Sequence, residues 1–290
     1  MMPQLVIRLF PAHDYDLAAT LRSGQAFRWK CAENGWTGVI SGRWVRLRST
    51  GTSVEAEALA PADDWTWLTH YLQTDVALEE VLRGFPGDEP MQSAVAACRG
   101  LRLLRQDPWE CLASFILSST KQILQIQQIV ANLCECYGQP VVVPAGEPAA
   151  WAFPSPARLA SVTETELRAC KMGFRAPYLL EAARRTAAGE LDLTELGKAP
   201  LDVARGRLME LPGVGRKIAD CVLLFAYGFQ SAFPVDVWVL KALRQLYFPR
   251  RRRVTPRQIQ QFVDEHFGPY AGYAQQYLFH YMRVARPRMD

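Results

Sequence analysis

Short runs of alternating apolar and polar positions fill the first hundred residues of the chain. Valine, isoleucine, phenylalanine and tryptophan dominate these runs, and Gly or Asn interrupts them. Such β-branched and aromatic segments predict an antiparallel sheet of short strands. The four segments are LVIRLF (5–10), FRWK (27–30), WTGVI (36–40) and RWVRLR (43–48). Two helical segments accompany them: DYDLAATLRSG (14–24), with Asp14 or Asp16 as N-cap and Gly24 as its end, and DDWTWLTHYLQ (63–73).

From about Leu101 the apolar spacing changes to three and four residues, which predicts amphipathic helices. In TKQILQIQQIVANLCECYG (120–138) the apolar positions are 123, 126, 129, 130 and 133, and a glycine follows. Similar segments cover 107–119, 157–170, 177–189, 201–211, 216–228, 236–247, 255–268 and 271–285. The predicted fold class is α+β, with a small sheet domain over residues 1–100 and a larger all-α domain over 101–290.

Composition narrows the class of protein. The chain has 290 residues, 49% of them hydrophobic and 21% charged, as in globular domains. No apolar run approaches the roughly 20 residues of a membrane span, so we expect no membrane association. Seven cysteines are scattered without a CxxC pair, which argues against a zinc or iron–sulfur site. We therefore expect a monomer with free thiols, no metal and no required cofactor.

Positive charge is concentrated at the C-terminal end. Residues 250–290 contain eight arginines against three acidic residues, whereas the whole chain has a net charge of only +4. A basic surface suits a polyanion such as nucleic acid. The alternative is an exposed arginine-rich loop and tail. The arginines are Arg250, Arg251, Arg252, Arg253, Arg257, Arg283, Arg286 and Arg288.

A helical hairpin is predicted over residues 202–227. Pro212 ends its first helix, Gly213 and Gly215 allow a tight turn, and Val214 can pack between the helices. The free amides at the start of the second helix form a phosphate-binding site that does not depend on base sequence. The alternative is an ordinary turn between two helices.

Lys217 and Asp236 are the candidate catalytic pair. Only six of the 33 basic Lys and Arg residues are lysines, and one of them, Lys217, lies in the first turn of the second hairpin helix. An amine can lose its proton and attack an electrophile, whereas a guanidinium cannot. Asp236 follows 19 residues later at the start of the next helix, and an antiparallel return can bring it back to the lysine. The alternatives are a phosphate contact for Lys217 and a helix cap for Asp236.

LPGVGRKIADC (211–221), followed by PVD (234–236), resembles the helix–hairpin–helix DNA glycosylases. Four further segments resemble the 8-oxoguanine DNA glycosylases within that superfamily, and together they span both predicted domains. No cysteine follows Cys221, whereas the endonuclease III and adenine-glycosylase branches usually carry a C-terminal four-cysteine cluster site. The four segments are LRSGQAFRW (21–29), SFILSS (114–119), GFRAPYL (173–179) and GPYAGYAQQYLF (268–279).

The resemblance implies a bifunctional glycosylase and lyase that acts on double-stranded DNA containing an oxidised purine. Lys217 would attack C1′ of the flipped nucleotide and form a Schiff base, which permits β-elimination. Asp236 would stabilise positive charge on the sugar. If the protein is bacterial, we expect it in the cytoplasm in association with the nucleoid. If it is eukaryotic, we expect it in the nucleus.

The resemblance also assigns contacts with the substrate. The Gly24 carbonyl would accept a hydrogen bond from N7–H, Gln275 would bind the Watson–Crick edge, and Phe279 and Cys221 would enclose the base. Phe174 would enter the gap in the duplex, and Arg175 would contact the opposite base. The remaining implied DNA contacts are Gly213, Val214, Gly215, Thr120, Lys121 and Gln122.

Several positions depart from the family pattern. Residues 120–122 replace a run that often contains Asn, and Gln125 stands where an arginine is expected. Trp238 replaces a histidine, and Met282 replaces its carboxylate partner. The sequence therefore does not predict which base is preferred opposite the lesion. A monofunctional alkylpurine glycosylase and a non-catalytic DNA-binding module are the two alternatives; a lysine nucleophile argues against the first, and Lys217 with Asp236 against the second.

Overall fold

The computed structural model describes residues 4–60, 64–251 and 253–284. Within them the α+β prediction is confirmed, with an antiparallel sheet followed by a helical region. Three arginines of the basic C-terminal segment, Arg252, Arg286 and Arg288, lie outside the described residues.

The sheet has five strands in the order β1-β5-β4-β3-β2, and every neighbouring pair is antiparallel. Three predicted strands are confirmed, but FRWK is not a strand, since β2 begins only at Lys30. The last strand, β5, was not predicted. It alternates buried Val54, Ala56 and Ala58 with glutamates, and neither Ala nor Glu favours strands. The strands are β1 (Leu5–Pro11), β2 (Lys30–Ala32), β3 (Gly35–Ile40), β4 (Arg43–Ser49) and β5 (Ser53–Leu59); a separate pair is β6 (Pro140–Val141) and β7 (Ala150–Trp151).

Most predicted helices are present in the helical region. Two of them, α12 and α13, continue into wider π-helical turns at Leu223–Tyr227 and Leu243–Tyr247. The α-helices are α1 (Leu17–Arg22), α2 (Thr66–Leu72), α3 (Leu78–Arg83), α4 (Glu89–Cys98), α5 (Pro108–Leu117), α6 (Ile123–Tyr137), α7 (Pro156–Ala160), α8 (Glu164–Leu167), α9 (Ala176–Ala187), α10 (Leu193–Leu196), α11 (Leu201–Met209), α12 (Arg216–Val222), α13 (Val237–Ala242), α14 (Pro256–His266) and α15 (Ala271–Val284).

The single helix predicted over residues 157–170 is wrong. The chain forms two short helices there, α7 and α8, because Ser155 and Thr163 each cap a new helix start. The hydroxyl of Thr163 accepts a hydrogen bond from the Glu166 amide, and the Glu166 carboxylate accepts one from the Thr163 amide. This reciprocal capping box starts a helix inside the apparent one.

Two hydrophobic clusters form the core. The sheet cluster contains buried residues up to Leu72, together with Leu104. The helical cluster contains buried residues from Leu78 to Met282, together with Phe27. Helices α3 and α4 were not predicted, and their buried faces belong to the helical cluster. The two clusters divide between Leu72 and Leu78, well before residue 100. The domain boundary predicted at residue 100 stays a prediction.

The segment around Gly24 is held by a buried glutamine. Gln25 Nε2 donates to the Arg102 carbonyl at 2.8 Å, and Gln25 Oε1 accepts from the Leu104 amide at 2.7 Å. Buried amide groups with matched partners fix their surroundings strongly. The turn after α1 is thereby anchored to the start of the helical region, with Gly24 at its edge.

The predicted hairpin consists of α11, a tight turn and α12. Arg205 Nε donates to Asp220 Oδ1 at 2.7 Å, and both residues are buried, so one ion pair connects the two helices. Val214 is buried in the turn as predicted. The hairpin therefore presents the beginning of α12 as a fixed surface.

Candidate active site

A cleft of about 1090 Å³ lies where the hairpin turn, the 118–122 loop and the start of α13 meet the end of α15. The two candidate catalytic residues, Lys217 and Asp236, both line it. The other lining residues are Gly24, Phe27, Phe115, Ser118, Ser119, Thr120, Lys121, Gln122, Ile123, Leu124, Ile126, Gly213, Gly215, Ile218, Val235, Val237, Trp238, Leu240, Phe279 and Arg283.

Lys217 reaches the cleft from the first turn of α12 and is half-buried. Its Nζ donates a long hydrogen bond of 3.4 Å to Ser118 Oγ and lies 5.1 Å from the centroid of the Phe115 ring. One helical turn further on, Cys221 is buried. Burial raises the pKa of the Cys221 thiol to about 11, although the nearby Lys217 charge opposes the shift. The thiol is therefore neutral at neutral pH.

Asp236 is the N-cap of α13. Its Oδ1 accepts hydrogen bonds from the Trp238 amide at 2.9 Å and the Val239 amide at 2.8 Å. Burial raises the pKa of the Asp236 carboxyl above its usual value, against the opposing effects of these amides and of the Lys217 charge. Lys217 and Asp236 therefore interact electrostatically in one partly desolvated cleft, and the cap fixes the carboxylate in place.

The four residues predicted to contact the base divide into two groups. Gly24 and Phe279 line the cleft, whereas Cys221 and Gln275 are buried and do not line it. Gly24 has a φ of +79°, and a Cβ there would lie 2.7 Å from Ile123 Cδ1 and 3.4 Å from Phe279 Cε1. A side chain at position 24 would therefore be strained and crowded.

Gln275 is one turn before Phe279 on α15 and only 3% exposed. Its Oε1 is buried and has no hydrogen-bond partner among the residues that the structure describes. An unpaired buried amide oxygen is costly.

Phe174 and Arg175 have opposite environments. The Phe174 side chain is 51% exposed, whereas Arg175 is 2% exposed. Arg175 Nε donates to the Ser119 carbonyl at 2.8 Å, and Arg175 Nη2 donates to Thr120 Oγ1 at 2.6 Å. Its Nη1 donates to the Met172 carbonyl at 3.1 Å. Arg175 thus fixes the loop of the cleft, and a contact with DNA stays a prediction.

The loop residues Thr120, Lys121 and Gln122 all line the cleft, as the site prediction requires. Thr120 has a φ of +55°, which is unusual for a β-branched residue, and its bond with Arg175 holds that conformation. Gln125 has a local role: its Oε1 accepts a hydrogen bond from the Gln122 amide at 3.1 Å, which caps the start of α6. Capping is a physical reason for glutamine at that position.

The two hairpin glycines differ in conformation. Gly213 has a φ of +80°, and a Cβ there would lie 2.6 Å from Tyr178 Cγ. Gly215 caps α12 with a φ of −94°, and a Cβ there would meet no atom within 4 Å. Gly213 is thus required by the fold, whereas the space at Gly215 is open to an approaching molecule.

Sequence reasoning gave no role in the active site to Ser118, Arg283 and Val237, which line the cleft. Ser118 contacts the candidate nucleophile, and it is part of SFILSS, which was noted only as a family segment. Arg283 lies one turn after Phe279 on α15, a spacing that could have indicated a shared face. Val237 is largely exposed at the rim.

Membrane-spanning helices and metal-binding clusters are both absent from the described part of the chain. None of its helices combines the length and apolar character needed to span a bilayer. No group of three or more His, Cys, Asp or Glu side chains there is arranged to hold a metal ion.

Comparison with known proteins identifies two consecutive family matches. Residues 8–112 match the "8-oxoguanine DNA glycosylase, N-terminal domain", and residues 113–269 match the "HhH-GPD superfamily base excision DNA repair protein". Together they cover the sheet, the hairpin and both candidate catalytic residues.

Individual relatives match along nearly the whole chain. A probable N-glycosylase/DNA lyase of Methanothermobacter thermautotrophicus is 31% identical in an alignment 304 positions long, which covers 94% of this chain and 95% of the relative. The Arabidopsis thaliana N-glycosylase/DNA lyase OGG1 is 32% identical, over 91% of this chain and 76% of its own. The Clostridium acetobutylicum 8-oxoguanine glycosylase/lyase, solved with double-stranded DNA containing cytosine opposite 8-oxoG, is 31% identical. It superposes with a TM-score of 0.89 over 98% of this chain and 99% of that chain.

Proposed function

Since the chain belongs to the N-glycosylase/DNA lyases of the HhH-GPD superfamily of base excision DNA repair proteins, we propose that it excises 8-oxoguanine from double-stranded DNA and then cleaves the strand. The observation that carries the proposal is the placement of Lys217 and Asp236 in one cleft beside the hairpin turn. An amine and a carboxylate at one sugar are the groups that such a reaction needs.

The proposed reaction begins when the damaged nucleotide leaves the duplex and enters the cleft, at an unstacking cost of a few kcal/mol. The amine of Lys217 attacks C1′ through its lone pair and gives up a proton, the C1′–N9 bond breaks, and the base leaves with the bonding electron pair and takes up a proton. The sugar ring then opens to a Schiff base. Loss of a proton from C2′ expels the 3′ phosphate, and water finally releases the lysine.

Asp236 acts through its charge in this proposal. Positive charge develops on the sugar as the base leaves, and a carboxylate held in a partly desolvated cleft stabilises that charge. The two capping hydrogen bonds end on Oδ1, so Oδ2 is the oxygen that we assign to the sugar. A carboxylate that is already fixed need not reorganise during the reaction.

Base recognition in this proposal uses the walls of the cleft. Phe279 stacks on the extruded base and Cys221 packs on its other side, with Gln275 turning toward its Watson–Crick edge. The Gly24 carbonyl accepts a hydrogen bond from N7–H, which oxidised guanine has and guanine lacks. Guanine would present a lone pair to that carbonyl, and a mismatch of this kind discriminates by a few kcal/mol.

DNA binding in this proposal uses the surfaces around the cleft. The amides of the hairpin turn (Gly213, Val214 and Gly215) hold a backbone phosphate. The exposed Phe174 ring fills the gap left by the flipped nucleotide. Arg175 and the 120–122 loop lie on the side of the opposite base.

Both alternative functions lack support at Lys217. A monofunctional alkylpurine glycosylase activates water and needs no amine, yet Lys217 Nζ lies in the cleft at Ser118. A non-catalytic module would need only the hairpin, and the partly buried carboxylate of Asp236 in the same cleft would have no use in it.

Both proposed catalytic groups come from the chain, so we propose a reaction without a cofactor. We also propose that the enzyme works where DNA is, in the nucleoid or the nucleus.

The direct test compares duplexes that contain 8-oxoguanine or guanine at one position. We expect release of the free oxidised base, a nick with a 3′ unsaturated aldehyde, and a covalent adduct when borohydride is present. The guanine duplex should stay intact under the same conditions. Base release without a nick or adduct would support the monofunctional alternative, and binding without either product would support the module.

The hairpin glycines give a matched pair of variants. Gly213→Ala is expected to lower the free energy of unfolding by roughly 1–3 kcal/mol, because it creates backbone strain and a clash with Tyr178. Gly215→Ala should change stability by less than about 1 kcal/mol, since its conformation and surroundings accept a methyl group. It should nevertheless weaken binding to undamaged duplex roughly three- to tenfold, because a phosphate could no longer approach the amides. Denaturant unfolding and fluorescence anisotropy measure the two effects, and undiminished DNA affinity in Gly215→Ala would contradict the phosphate site.

A further inference from the structure

Arg283 is a charged residue of the cleft to which the proposed reaction gives no role. It lies in the last turn of α15, and its guanidinium carbon is 5.2 Å from the centroid of the Phe279 ring. Its Nη1 is buried and has no hydrogen-bond partner within the described residues 4–60, 64–251 and 253–284. A buried cationic donor without an acceptor is unfavourable unless a bound molecule supplies one.

The position of this donor is defined by two neighbours. On one side, Arg283 Nη1 lies 3.5 Å from the point where a Cβ on Gly24 would be. On the other side, the positive charge of Arg283 interacts with Asp236 and lowers the pKa of its carboxyl, against the larger effect of burial. The guanidinium therefore lies beside the backbone that we assign to N7 of the base, and it acts electrostatically on the carboxylate that we assign to the sugar; both line the same cleft.

The order of atoms in the lesion identifies what lies between those two points. In 8-oxoguanine the ring atoms N7, C8 and N9 are consecutive, C8 carries the exocyclic oxygen, and N9 carries the sugar. When N7–H faces the Gly24 carbonyl and C1′ faces Lys217 and Asp236, the C8 oxygen points into the space between them. On that edge of the base, the C8 oxygen is the acceptor that can satisfy a donor located there.

We infer that Arg283 Nη1 donates a hydrogen bond to the C8 oxygen of the flipped base and is thus a specificity residue for 8-oxoguanine. The inference rests on the proposed function, because it takes the placement of N7 and C1′ from it. Guanine has a C–H group at C8 and would leave the buried donor unpaired. Arg283 thus reads the oxygen of the lesion, whereas Gly24 reads the proton that accompanies it.

The test compares the wild-type protein with Arg283→Met and Arg283→Lys on two duplexes under single-turnover conditions. One duplex contains 8-oxoguanine, and the other contains a preformed abasic site, which has the sugar and phosphates but no base. In Arg283→Met, the rate ratio of 8-oxoguanine cleavage to abasic cleavage should fall roughly 10- to 100-fold, as expected for a lost hydrogen bond from a charged donor. Arg283→Lys, which keeps a charged donor, should recover part of that ratio. Arg83→Met, on the exposed surface of α3, is the matched control.

Each outcome has a definite meaning. An unchanged ratio in Arg283→Met would overturn the inference, whether both rates stay the same or both fall equally. In the first case the guanidinium would have no role in cleavage, and in the second it would act on the sugar, the phosphates or the fold. The proposed function would survive either result, since the wild-type protein would still release 8-oxoguanine. A wild-type protein that cuts the abasic duplex but never releases 8-oxoguanine would overturn both.

Discussion

Replacing Lys217 by glutamine is expected to abolish the borohydride-trapped adduct with 8-oxoguanine duplex and to lower strand cleavage by roughly three orders of magnitude or more. The amide of glutamine cannot attack C1′ or form a Schiff base. Lys217 is half-buried and its hydrogen bond to Ser118 is long, so its replacement should leave the fold intact. Gel analysis of trapped adducts and single-turnover cleavage measure the effect.

Lys198→Gln is the matched control for this experiment. Lys198 is exposed and ion-paired with Glu195 outside the cleft, so its replacement should leave trapping unchanged. DNA binding by Lys217→Gln should persist, because the hairpin amides and the loop are unaltered. Trapping that continues in Lys217→Gln would assign the nucleophile to another amine, with Lys121 in the same cleft as the first candidate.

The hairpin, and the meeting of Lys217 with Asp236 in one cleft, could be predicted from sequence because their signals are local. Glycines, a proline and a capping aspartate each determine the conformation of a few neighbouring residues. Lys217 lies at the start of α12, and the loop after that helix is long enough to bring the chain back to the same end, where Asp236 caps the start of α13. The structure accordingly places both residues in one cleft, 19 positions apart along the chain.

The other features depend on contacts between distant segments, and periodicity does not encode these. Arg175 is buried because it meets the carbonyl of Ser119, which is 56 residues away. Gln275 is buried and does not line the cleft, although its spacing from Phe279 places it on the same helix face. The strand β5 was missed because cross-strand ion pairs, such as Arg48 with Glu55, offset a composition that is poor for strands.

Two positions that depart from the resemblance have different places in the structure. Trp238 lines the cleft, whereas Met282 is buried and does not line it. Arg283, next to Met282, does line the cleft and supplies positive charge near Asp236.

Replacing Asp236 by asparagine is the second large effect that we expect. Asparagine is as good an N-cap as aspartate, so the free energy of unfolding should change by less than about 1 kcal/mol. The negative charge is lost, however, and base excision should slow roughly 100- to 1000-fold. Binding of the lesion should be retained, which separates a loss of transition-state stabilisation from a loss of affinity. Single-turnover rates and equilibrium binding measure the two quantities.

Asp192→Asn is the matched control. Asp192 Oδ1 caps α10 by accepting hydrogen bonds from the Thr194 and Glu195 amides, the same pattern as at Asp236, but it does not line the cleft. Its excision rate should stay within about twofold of wild type, since no catalytic charge is removed. The pH dependence provides an independent check. Because burial raises the pKa of Asp236, the wild-type rate should fall on acidification at a higher pH than an ordinary carboxyl would give, and Asp236→Asn should lack that step. Wild-type rates in Asp236→Asn would reduce Asp236 to a helix cap and remove the carboxylate from the reaction.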